Sequence, residues 1–195
     1  MAQTISWYDL IWCGLPILVV CIIYRLWLGK VGEVLIASIR MVVQLVVIGY
    51  VLVIVFDNPH PFYSSLILCL MICVAAWIAI RPVQHHKGFY LPALIALGIS
   101  VSLHLLLSLL FVLRIGSWFE PSVLIPLAGM YFANSMNSVS LATERYHSEL
   151  HSGREEIKCR GIAFQAAMIP QINSLLAVGL VALPGMMTGQ ILSGV

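Results

Sequence analysis

Six mostly apolar runs, at 9–28, 34–56, 62–80, 91–113, 123–142 and 164–183, alternate with short polar stretches along the chain. A helix crosses the hydrocarbon layer with about 20 such residues, so the pattern predicts an all-α integral membrane bundle of about six transmembrane helices. The first run is not read as a cleavable leader, because no Lys or Arg precedes it and no small-residue cleavage site follows it. The sixth is interrupted by Pro170 and by Pro184-Gly185, which predicts a broken helix. Such a break is tolerated in a membrane only where neighbouring helices or a wet cavity satisfy the released backbone groups.

Composition agrees with this layout: 61% of the 195 residues are hydrophobic and 9% are charged, against about 25% charged in soluble domains. The length predicts one transmembrane domain, 1–195, with the lipid bilayer as its main partner. A net charge of +2 excludes a nucleic-acid-binding character.

The placement of the charges is more telling than their sum. Arg25, Lys30 and Arg40 flank the first connection, Arg81 and Lys87 lie in the third, and Arg145, Arg154, Lys158 and Arg160 follow the fifth run. Under strict alternation nine of the ten cations fall on one side and Arg114 alone on the other. Cations mark the cytoplasmic side, which predicts an external N-terminus. Trp7, Tyr8, Trp12, Phe56, Phe62, Tyr63, Trp118 and Phe119 then ring the outer interface, and Trp27, Phe89 and Tyr90 the inner one.

Cys13, Cys21, Cys69 and Cys73 fall within apolar runs, where cysteine acts as a small hydrophobe. Cys69 and Cys73 also share a helix face and offer two soft donors, but no metal site is assigned. Cys159 is expected to be a reduced cytoplasmic thiol. His147 and His151, four apart, fit either a metal pair or two surface histidines. His85-His86 reads as a polar cytoplasmic turn. His104 stands near the middle of the fourth run, where an ionisable residue is a functional candidate; a neutral imidazole bonded to a neighbouring helix is the alternative.

In the fifth run Asn134, Asn137 and Ser138 stand at i, i+3 and i+4 on one helix face. Two amides in hydrocarbon must meet protein or water. They are either glue between helices or the wall of a polar pathway, with Gln165, Gln171, Asn173 and Ser174 of the sixth run as partners. The polar stretch 143–161 is by charge pattern a solvated helical connection.

Several strings occur in the order found in one known family: RMVVQLVVIGYVL at 40–52, AAWIAIRP at 75–82, IPLAGMYFANSMNS at 125–138, and IP, NS and VGLVALPGMMTGQILSG across 169–194. With them the chain resembles the FetB-type permeases, the membrane subunits of ABC exporters that include bacterial iron exporters and plant aluminium-tolerance proteins. The resemblance runs from about Gly32 to the last residue. It implies a permease of the cell (inner) membrane that is no enzyme, needs no cofactor and pairs as a homodimer. A separate cytoplasmic ATP-binding subunit would hydrolyse the ATP. The chain has no GxxxxGK[ST] phosphate loop of its own.

The resemblance implies that the 143–161 loop docks on the ATPase, with Glu149 and Gly153 opening the coupling stretch. Fifteen residues separate Gly153 from Ile169-Pro170, about one helical turn fewer than the family's spacing. Family members also continue past the LPGMM string into one more span, whereas this chain stops at Val195. A shortened homologue, a truncated product and a half that needs a partner all fit that difference. The expected pathway is lined by Asn134, Asn137, Ser138, Gln171, Asn173 and Ser174. A hinge is expected at Pro184, Gly185, Met186, Met187 and Gly189, where a missing N–H, two glycines and two pliant side chains meet. The competing function is an ATP-independent secondary transporter or channel with its site at the broken sixth helix, or a non-transporting homologue.

Overall fold

A computed structural model describes residues 12, 14–29, 31–83, 88–114 and 120–178. The described chain is helical: α1 (Gly14–Trp27), α2 (Val31–Asp57), α3 (Pro61–Ala79), α4 (Tyr90–Leu107), α5 (Pro121–His151) and α6 (Glu156–Ala177). A 3-10 turn, Arg81–Val83, follows α3, and a π-helical turn, Ser108–Val112, extends α4. Each of these six helices overlaps one of the six apolar runs, α5 continuing past 142 and α6 beginning before 164. Contacts divide the chain into two units, Met1–Ile54 with Gly179–Val195, and Val55–Val178.

In the first unit, α1 ends where Gly29 takes φ +68° and both Leu28 and Gly29 donate to the Tyr24 carbonyl. Glycine adopts this left-handed angle without the Cβ clash that other residues meet, and it closes the last turn. No residue of α1 is buried, and in α2 only Val55 is. Apolar side chains in lipid need no protein cover, because acyl chains are as apolar as leucine.

The second unit holds a packed core. Proline at the first position of α3 suits its fixed φ and missing N–H, and His60 Nδ1 accepts from the Phe62 N–H at 3.2 Å to cap the turn. Ala75, Ala76 and Ala79 of α3 are buried against Leu97, Val101 and Leu105 of α4, Leu109 of the π turn, and Leu124, Ala128 and Phe132 of α5. The spacing of four in 97–101–105–109 and 124–128–132 stacks each set on one helix face. The alanines let the backbones approach closely, as helix pairs in membranes require. Cys159, Ala163 and Ala167 repeat the same spacing on the buried face of α6.

Among the described residues, three helical stretches are long and apolar enough to cross a membrane by length and composition: Val31–Asp57, Pro61–Ala79 and Tyr90–Val112. The 14 described residues of α1 are apolar but short. Helices α5 and α6 have the length, at 31 and 22 residues, but their Asn, Ser, Gln and charged positions lower their hydropathy. The sixth run departs from expectation at Pro170, since α6 passes through it unbroken. Pro126 likewise lies inside a continuous α5. Each proline removes one N–H from the ladder, and the helix continues because its neighbouring bonds remain. Pro184 lies outside the described residues.

Candidate functional site

Helices α4, α5 and α6 enclose one side of a cavity of about 680 Å³. Its polar wall is built from Ser100 and His104 of α4, Tyr131, Asn134, Ser135 and Ser138 of α5, and Gln171 of α6. Asn134 and Ser138 are one helical turn apart and so face the cavity together. Ser138 Oγ donates to the Asn134 carbonyl at 3.2 Å and accepts from Gln171 Nε2 at 2.7 Å. That second bond ties α5 to α6 across the cavity wall.

His104 lies on the same wall. Its Nδ1 is 2.8 Å from the Ser100 carbonyl, and its ring centroid is 5.8 Å from that of Tyr131. The Tyr131 hydroxyl is 2.7 Å from Ser108 Oγ at the start of the π turn. Single π turns in helices are frequent at functional sites, and this one places Ser108 against the cavity's aromatic residue.

Three of the six expected pathway residues therefore meet at the cavity: Asn134, Ser138 and Gln171. Asn137, Asn173 and Ser174 are exposed and do not line it. Helical rotation explains the split, since residue 173 stands about 200° around α6 from residue 171. Ser174 Oγ turns back to the Pro170 carbonyl at 2.8 Å. The expected hinge, Pro184, Gly185, Met186, Met187 and Gly189, lies outside the described residues. Ser100, Ser108, Tyr131 and Ser135 escaped the sequence reading. The signal for Ser100 and Ser108 was the spacing of four in Ser100–His104–Ser108, which aligns three polar groups on a leucine-rich helix; Tyr131 and Ser135 carried none.

The expected coupling residues sit at the far end of α5. Of the polar stretch 143–161, residues up to His151 continue α5 and residues from Glu156 begin α6, so only 152–155 connect them. The stretch is a helical hairpin, as its charge pattern suggested, and its i,i+4 charge pairs support helix on both arms. Glu149 is 6% exposed and its carboxylate is held between Arg145 at 2.8 Å and Arg154 at 3.1 Å. The first pair lies along α5, and the second crosses the turn. Gly153 takes φ +75° and donates to the Leu150 carbonyl at 3.1 Å, ending α5 by the same left-handed device as Gly29. On the first turn of α6 the Glu156 carboxylate bonds the Arg160 guanidinium and holds its pKa above an already high ordinary value. Cys159 is fully buried beneath this hairpin.

Among the described residues, no group of three or more His, Cys, Asp or Glu side chains is placed to hold a metal ion. Cys69 and Cys73 are exposed, and the His147 and His151 rings lie 4.1 Å apart.

Helices packed through alanines define the class: an all-α integral membrane protein with a cavity among α4, α5 and α6 that has one polar wall. The chain belongs to the uncharacterised protein family UPF0014, whose sequence pattern matches residues 7–161 and 158–195. It is 35% identical to the UPF0014 membrane protein slr1647 of Synechocystis, over 97% of this chain and 80% of that one. The UPF0014 membrane protein YjkA of Bacillus subtilis is 36% identical over 85% of this chain and 71% of its own. The Probable iron export permease protein FetB of Escherichia coli is 30% identical over 80% of this chain, a match that spans 65% of that protein. The expected FetB-type kinship therefore holds. No solved structure matches the chain.

Proposed function

We propose that the chain is the membrane permease subunit of an exporter for a metal ion or other small solute, driven by ATP that a separate cytoplasmic subunit hydrolyses. The observation that carries this reading is the cavity whose polar wall brings Asn134, Ser138 and Gln171 together between α5 and α6. Its supporting circumstance is the kinship with a protein named as an iron export permease. In this reading the amide, hydroxyl and imidazole groups of the wall are groups that a solute passes, and the chain moves it without transforming it. In this reading Asn137, Asn173 and Ser174 border the same pathway, and residues 184–189 form the hinge that opens it. The protein sits in the cell (inner) membrane with its N-terminus outside. Two copies pair, and the hairpin at Glu149 and Gly153 docks on the ATPase.

Co-expression with the candidate ATPase subunits of the same genome tests the partnership: one of them co-purifies with the chain and gains ATPase activity from it. Asn134→Leu tests the pathway. It is expected to abolish solute efflux from inverted vesicles while membrane abundance stays near the wild-type level. Loss of abundance instead assigns Asn134 to helix packing and removes it from the pathway.

A further inference from the structure

We infer that the cavity among α4, α5 and α6 takes an uncharged organic molecule with an apolar face and a hydrogen-bonding edge. The inference rests on the permease reading and, of the solutes which that reading admits, selects this class over a metal ion. Among the described residues the cavity lining carries no carboxylate, thiol, ammonium or guanidinium group, and no cluster of metal ligands is present. In its neutral form His104 spends its one N–H on the Ser100 carbonyl, 2.8 Å away, and the wall then holds no formal charge. An ion that entered would shed water without meeting a countercharge, and a desolvated charge left unpaired is costly.

What the wall does offer is a short row of neutral donors and acceptors. Ser138 Oγ is engaged twice, with the Asn134 carbonyl and with Gln171 Nε2. Among the described residues nothing bonds the Asn134 side-chain amide or the Ser135 hydroxyl, and the Gln171 side-chain oxygen is also left as an acceptor. An amide both donates and accepts, so these groups suit an amide, hydroxyl or carbonyl on the solute. The same cavity is lined by Leu97, Val101, Val139 and Leu175. Tyr131 and His104, with ring centroids 5.8 Å apart, add flat surface that suits a planar solute. A mostly apolar lining with a few polar groups to fix orientation is the makeup of sites for small organic molecules. Such sites run to about 300–1,000 Å³, and this cavity has about 680 Å³.

The test uses the full chain in lipid nanodiscs with benzamide as probe, binding being read by saturation-transfer NMR after subtraction of empty nanodiscs. Benzamide has an aromatic face and an amide edge. Benzoate and benzamidine keep its shape but carry a negative and a positive charge. Benzamide is expected to bind saturably with a dissociation constant of about 1 mM, and both ionic analogues at least about tenfold more weakly. Co²⁺ at the same concentration leaves benzamide in place. Gln171→Leu removes part of the hydrogen-bonding edge and weakens benzamide about fivefold. Ala96→Trp is the second arm: Ala96 lines the cavity and is exposed, so an indole there fills the space without entering the packed core and abolishes binding. It answers the question even where Gln171→Leu does not fold. Absence of saturable benzamide binding overturns the inference, as do ionic analogues that match it, displacement by Co²⁺, unchanged binding in Gln171→Leu or binding that survives Ala96→Trp. ATPase co-purification is scored on the same preparations. A chain that binds its ATPase yet treats the three probes alike loses the solute class and keeps the permease reading. One that discriminates among them without binding an ATPase keeps the site and loses the ATP-driven partnership.

Discussion

Ser138 serves two neighbours with one hydroxyl, donating to the Asn134 carbonyl of its own helix and accepting from Gln171 of the next. The donation inside α5 leaves a lone pair pointing away from the helix, and the Gln171 amide fills it. Interhelical hydrogen bonds in membranes contribute modestly, about 0.6 kcal/mol on average, because the separated helices find other partners. A double-mutant cycle of Ser138→Ala and Gln171→Leu is therefore expected to give a coupling of about 0.6 kcal/mol in unfolding from detergent micelles. A coupling near zero would show that the 2.7 Å contact does not hold α5 to α6. At this scale the sequence was only half legible. Polarity in an apolar run identified Asn134, Ser138 and Gln171, since amides avoid hydrocarbon whatever the fold. Tyr131 and Ser108 were hidden, because a tyrosine and a serine in a membrane helix are common, and only the 2.7 Å approach of their hydroxyls distinguishes them.

The helices themselves were the most legible level, since apolar length alone determines where a chain crosses hydrocarbon. Where expectation departed from the structure, local rules met context. Pro170 was read as a break, yet α6 continues, because one missing bond in a helix braced along its Cys159–Ala163–Ala167 face is tolerated. The polar stretch 143–161, expected as a solvated helical connection, is a helical hairpin in which Glu149 bonds Arg145 along α5 and Arg154 across the turn. The Glu149 carboxylate is nearly buried, while the Arg145 and Arg154 side chains remain 47% and 55% exposed. Removing one partner of a buried pair costs about 3–5 kcal/mol. Water still reaches both arginines, so about 2 kcal/mol is the better expectation for Glu149→Gln. The measurement is a thermal unfolding curve in nanodiscs, with Glu149→Asp as the comparison that keeps the charge. If Glu149→Gln melts with wild-type protein, the carboxylate does not brace the turn. Under the proposed function, the same variant assayed with the co-purifying ATPase is expected to support ATP hydrolysis without solute export.

For the molecule as a whole, the length of α5 is informative. Its 31 residues span about 46 Å at 1.5 Å each, against a hydrocarbon thickness of about 30 Å. Entering at Pro121, the helix leaves the layer near Leu141, and the remainder must stand in water. That remainder carries Glu144, Arg145, His147, Glu149 and His151, and the first turns of α6 return alongside it with Glu156, Lys158 and Arg160. The hairpin thus projects from one membrane face, and it carries four of the ten cations of the chain. Cationic loops resist translocation, so that face is expected to be cytoplasmic. Ser152 offers the test, being exposed and in the turn itself. In a background with the five cysteines replaced by alanine, Ser152→Cys is expected to resist a membrane-impermeant maleimide in intact cells and to react once the membrane is opened. Ser122→Cys, exposed at the opposite end of α5, is expected to react in intact cells. The reverse pattern would place the hairpin outside, beyond the reach of any cytoplasmic ATPase, and the ATP-driven reading would fall with it.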